Sequence, residues 1–141
     1  MDGDGTATLV REQLTLDERR LKLLNDYCDS VGLSDDTKRF AERMLSWVED
    51  LDMVSGRAPT AIAATLTWMV GRLEPRRRVS QHVMYMTTRV FPLTMSRNAR
   101  EFSEGIEEAI RSNKIVFDRK ADLRLDLILH HSAELKGRKR D

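Results

Sequence analysis

Between positions 72 and 100 the chain carries arginine at 72, 76, 77, 78, 89, 97 and 100 against a single acid, Glu74. Guanidinium groups at that density suit a polyanion, because each stays charged at any physiological pH and its fork of donors matches phosphate oxygens. Arg76, Arg77, Arg78, Arg89, Arg97 and Arg100 surround two consecutive helical patterns, and Arg97 and Arg100 fall near the start of the second. Side chains placed there can reach base edges in a major groove. Ser96 and Gln81 add donors for phosphate oxygens. The expected DNA contacts are therefore Arg76, Arg77, Arg78, Arg89, Ser96, Arg97 and Arg100, with Gln81 in support. A plainer reading competes. Arg97 and Glu101, and Arg100 and Glu104, stand four apart, the spacing of ion pairs along a helix surface. Glu101, Glu104, Glu107 and Glu108 would also repel a duplex laid along the whole helix, so only its first turn or two can enter a groove.

Catalytic chemistry has little to work with. His82 stands alone on a helical pattern, and His130 and His131 are adjacent, so on a helix they point in different directions. No His/Cys/Asp set has metal-ligand spacing, and there is neither a glycine-rich phosphate loop nor a Gly-x-Ser-x-Gly elbow. Asp2-Gly3-Asp4-Gly5-Thr6 has the look of a calcium loop, but the position of its bidentate glutamate holds Arg11, a cation. The single cysteine, Cys28, lies on an apolar stripe, where a thiol is a small core residue rather than a nucleophile. No enzyme activity, metal or cofactor is expected.

The balance of charge is divided. Residues 1–54 hold 7 basic and 13 acidic side chains, net −6, and residues 55–141 hold 17 and 10, net +7. Such a field orients a charged partner, with its positive part toward a polyanion. The acidic half, with Trp47 and Trp68, could instead face a basic protein. No apolar run reaches the roughly 18–20 residues that span a bilayer. One cysteine and no signal-peptide pattern point to the cytoplasm, or the nucleus in a eukaryote.

The elements that must position these residues are helical. Residues 1–14 read as a flexible leader. Thr15 with Glu18 has capping-box spacing and opens a first helix with Leu21, Leu24, Cys28 and Val31 on one face, ended by Gly32. Ser34, followed by Asp35 and Asp36, opens a second, with Phe40, Ala41, Met44, Leu45, Val48 and Leu51 inward and Trp47 off-centre. Pro59 opens a third, about 59–73, apolar on most sides and so expected at the centre. A fourth, about 80–90, shows Val83, Met86, Thr87 and Val90 on one face. A fifth, about 94–111, has Met95, Ala99, Phe102, Ile106, Ala109 and Ile110. These make an all-α, five-helix domain over 15–112. Residues 113–141 form a C-terminal extension, read as a sixth helix or a strand, with the basic tail Lys136-Gly137-Arg138-Lys139-Arg140.

The stretch Ser55-Gly56-Arg57-Ala58-Pro59-Thr60-Ala61-Ile62-Ala63-Ala64-Thr65-Leu66 resembles the cyclin-box repeat of the transcription initiation factor B family. There a Gly-Arg-small-Pro turn enters a central helix through an Ile-Ala-Ala segment. Ala41 to Leu51 is similar to the preceding helix, and Thr94-Met95 with Arg100-Glu101-Phe102 to the closing one. The resemblance covers about residues 16–111. It implies a cyclin-like fold, a helix-turn-helix pair over about 80–110 that touches DNA, and a protein of the transcription machinery as a second partner. A docking role as a protein-binding adaptor or inhibitor is the alternative it implies. Here there is one repeat and no zinc ribbon, and the position two before Glu101, aromatic in the family, is Ala99. One repeat has a small footprint on DNA, which a homodimer would enlarge.

Overall fold

The computed structural model describes residues 14–74 and 78–115. Five α-helices follow one another: α1 (Leu16–Ser30), α2 (Asp35–Asp50), α3 (Pro59–Gly71), α4 (Gln81–Thr88) and α5 (Pro92–Arg111). No strand occurs among the described residues. Each of the first, second and fourth helices opens on a hydroxyl cap. Thr15 accepts from the Glu18 amide, Ser34 from that of Thr37, and Ser80 from that of Val83. Each cap satisfies an amide that the helix itself cannot pair. α3 and α5 have no such bond and open instead on Pro59 and Pro92, whose fixed φ and missing N–H fit the first helical position.

α3 is the hub. Residues 62–71 are all buried, and the helix touches each of the other four. Its apolar surface runs all the way round, so only a central position keeps it from water. Alanines 63 and 64 let neighbouring backbones come close. Around it lie Leu24 and Cys28 of α1, Phe40, Met44, Leu45 and Val48 of α2, Met84 of α4, and Met95, Phe102 and Ile106 of α5. Each large side chain removed completely from water contributes about 1.5–3 kcal/mol. This is the expected all-α, cyclin-like arrangement of five helices around a central one.

Three expectations need correction. α4 turns Met84 inward, while Val83 and Met86 are 38% and 53% exposed and Thr87 faces solvent. With eight residues it makes only about two turns, too few for periodicity to define a face against the pull of α3. α5 starts at Pro92, two residues early, so Arg97 and Arg100 sit in its second and third turns and Phe91-Pro92-Leu93 forms its tip. Trp47 and Trp68 are largely buried, not exposed on the acidic half. They are 7% and 6% exposed, and the Arg43 and Arg72 guanidiniums lie over them at 5.2 and 5.0 Å. The leader (residues 1–13), Arg76, Arg77, His130, His131 and the extension from 116 onward lie outside the described residues. Ile115 still packs against the core.

Cys28 is wholly buried, its thiol 3.8 Å from the Thr67 hydroxyl, and burial pushes its pKa up to about 11. The thiolate is the reactive form. Iodoacetamide at mildly alkaline pH should therefore leave the native protein unlabelled and modify it fully in denaturant. Rapid labelling of the folded chain would contradict this packing.

Candidate nucleic-acid interface

The basic side of the molecule is carried by α4, α5 and the segment that enters α4, and one arginine fixes where α5 lies. Gly56 has φ +77°, a left-handed conformation that glycine adopts without steric cost, and this brings Arg57 back toward the bundle. Arg57 Nε donates to the Met53 carbonyl at 2.9 Å, and its two terminal nitrogens donate to Asn98 and Glu101 of α5. The guanidinium lies 5.2 Å from the Phe102 ring centre. Asn98, itself buried, donates at 3.4 Å to Thr65 of α3, so turn, hub and α5 share one polar network. Glu101 is thereby taken by Arg57, not by Arg97 as helical spacing suggests. Glu107 and Glu108 both lie against Arg111, at 3.5 and 3.8 Å. Arg97 and Arg100 have no ion pair among the described residues, which corrects the surface-pairing expectation for Arg97 and Glu101.

Three residues, Arg89, Val90 and Phe91, join α4 to α5. Arg89 caps α4 in the left-handed region, φ 65°, with its amide donating to the Tyr85 carbonyl at 2.8 Å. Its guanidinium lies 5.8 Å from the Tyr85 ring, which stacks on Phe91 at 5.6 Å. Phe91 and Leu93 are each 65% exposed, and on α4 Val83 and Met86 are exposed as well. The residue pattern did not reveal these exposed apolar side chains, because helical spacing assigns Val83 and Met86 to the core.

A groove of about 440 Å³ is lined by Trp68, Arg72, Arg78, Val79, Ser80, Gln81 and Ser96. The sequence-predicted Arg78, Gln81 and Ser96 meet here, and Gln81 donates to the Ser96 hydroxyl at 2.6 Å. Arg89, Arg97 and Arg100 are not part of this lining. Arg72 and Trp68 were not among the predicted contacts. Arg72 belongs to the arginine-dense stretch, but its position at the end of the central helix concealed the groove it faces. The segment carrying Arg78 is drawn onto α3 by Gly71: Val79 is buried there, and its amide donates to the Gly71 carbonyl at 3.2 Å.

Comparison with known proteins finds similarity to transcription initiation factor IIB of Dictyostelium discoideum, 28% identical over 57 residues. That match takes in 40% of this chain and 18% of the relative's length. It supports a cyclin-box relationship over part of the chain. No family model matches, and no solved structure matches. No helix among the described residues is long and apolar enough to cross a membrane, and no cluster of His, Cys, Asp and Glu there could hold a metal ion.

A methyl group on Gly71 would meet Val79 Cγ2 at 2.7 Å and Cβ at 2.8 Å. Gly71→Ala should therefore cost about 1–3 kcal/mol as an overpacking change, read as a lower midpoint of urea unfolding. An unchanged midpoint would mean that the segment yields freely and is not held in place by Gly71.

Proposed function

We propose that this chain is a non-enzymatic, transcription-associated protein that binds duplex DNA through α4 and α5 used as a helix-turn-helix-like pair. One observation carries the reading. Arg78, Arg89, Arg97 and Arg100 have no carboxylate partner among the described residues, while the acids of α5 at 101, 107 and 108 are engaged by Arg57 and Arg111. Neutralising phosphates supplies most sequence-independent affinity, and unpaired guanidiniums surrender no internal ion pair when they do so. The three-residue connection fits a helix-turn-helix. The partial similarity to a transcription initiation factor supports the transcription association. Arg76 and Arg77 extend the same basic run in sequence. Domain boundaries at about 15 and 112 fit a single cyclin-like unit, and a second copy of the chain would double its short footprint on the duplex.

A second reading, a protein-binding adaptor or inhibitor with the same fold, draws on the exposed Val83, Met86, Phe91 and Leu93, since exposed apolar side chains on neighbouring elements suit a protein surface.

Fluorescence anisotropy with random duplex DNA at two salt concentrations separates the two readings. Binding should be tight at low salt and fall steeply as salt rises. Replacing Arg97 and Arg100 together by alanine should weaken binding and reduce the log–log salt slope by about 2, near one for each phosphate no longer neutralised, with helicity by circular dichroism unchanged. No binding at low salt would contradict DNA recognition and favour the adaptor. Unchanged affinity in the double variant would remove α5 from the interface.

A further inference from the structure

Arg72 occupies an unusual position for a cation. It is half-buried at the end of α3, with its guanidinium 5.0 Å from the Trp68 ring centre. A charge drawn partly out of water needs compensation from a carboxylate, from hydrogen bonds or from a bound anion. Arg72 has no ion pair among the described residues, and the nearby Glu74 accepts instead from the amide and hydroxyl of Ser34, at 2.9 and 3.0 Å. The Trp68 face offsets only part of the cost.

A second guanidinium, Arg78, enters the same groove from the segment pinned on Gly71. Burial first, and then the charge of Arg78, hold the Arg72 pKa below its ordinary value. The remaining polar lining supplies donors. The Ser96 oxygen accepts from Gln81, which leaves its own proton to give. The Ser80 oxygen accepts from the Val83 amide and likewise keeps a proton free. No acid among the described residues lines the groove. Two cations that raise each other's energy, ringed by donors, make a receptor whose missing component is negative. A tetrahedral oxyanion with several acceptor oxygens can take bonds from both guanidinium forks and a hydroxyl together, which a single-point anion cannot.

We infer that the groove bounded by Trp68, Arg72, Arg78, Ser80, Gln81 and Ser96 is a phosphate-binding site, which takes either a backbone phosphate of a nucleic acid or the phosphate of a free ligand. Its volume leaves room for the attached sugar. The site does not rest on the duplex reading, since Arg97 and Arg100 lie outside it.

The test follows the Trp68 indole N–H and Arg72 Nε–H signals by NMR in the full ¹⁵N-labelled chain. Inorganic phosphate is titrated against chloride at constant ionic strength, and a nucleoside monophosphate and a short duplex are titrated in parallel arms. Both signals should shift saturably with phosphate and remain still with chloride. Arg78→Ala, a change at an exposed position, should weaken phosphate binding about tenfold, the loss expected for a charged hydrogen-bonding partner. Arg72→Lys, which keeps the charge but not the fork, should weaken it as well. A duplex that saturates the same two signals in competition with phosphate assigns the site to the backbone. A nucleoside monophosphate that saturates them while the duplex does not assigns it to a free ligand. Shifts that never saturate, or equal affinity in Arg78→Ala, overturn the site. Should that happen while the duplex still binds through Arg97 and Arg100, the groove alone is refuted. Saturable phosphate binding without any duplex binding refutes the duplex reading alone.

Discussion

The guanidinium of Arg57 is where the turn before the central helix, the central helix itself and α5 are held together. It spends its donors on a backbone carbonyl, a buried amide and a carboxylate, and its face on the Phe102 ring. Every partner except the carbonyl belongs to α5. The rotation of α5 about its own axis is therefore set by a residue more than forty positions earlier in the chain. Rotating α5 out of this register would pull Asn98 away from Thr65 and carry Arg97 and Arg100 with it. The Gly-Arg-Ala-Pro stretch has a physical explanation in these terms: glycine for the left-handed turn, arginine for the clamp, a small residue for the cap position, and proline to start the hub.

The clamp also decides the charge on the outer face. A solvent-exposed pair four apart on a helix is worth only about 0.3–0.5 kcal/mol. A hydrogen bond to a charged group at a partly buried site is worth about 1.5–3 kcal/mol. Glu101 accordingly goes to Arg57, whose side chain is 24% exposed, and Arg97 is left facing solvent. The same comparison accounts for Arg20, buried between Asp17 and Glu49, which joins α1 to α2. Glu49 and Glu101 bind the arginines that join one helix to another, and Arg78, Arg89, Arg97 and Arg100 are left without a carboxylate partner among the described residues.

Much of the fold was legible in the residues. The hydroxyl caps at Thr15 and Ser34, the proline at 59, the all-round apolar character of 61–73 and the long period of α5 each reflect local physics, which acts the same way whatever the tertiary context. Sequence pattern failed where distant contacts decide. The inward face of α4 is chosen by Met84 reaching α3, and two turns of helix carry too little pattern to reveal that. The start of α5 moved to Pro92 because proline opens a helix as readily as a hydroxyl cap does. The partner of Glu101 and the groove around Arg72 were not legible, since both are assembled from segments far apart in sequence. For the same reason the arginine-dense stretch was visible as composition, but its division into a pair that lines the groove, Arg72 and Arg78, and a set outside it was not.

Whether Arg57 truly sets the position of α5 can be measured by a double-mutant cycle on unfolding free energy, combining Arg57→Ala with Asn98→Ala. If the clamp holds as described, the two losses should fall short of additive by about 1 kcal/mol or more, the coupling of residues within one hydrogen-bonded network. Losses that simply add, within about 0.3–0.5 kcal/mol, would show that the two side chains act independently and that something else sets the position of α5.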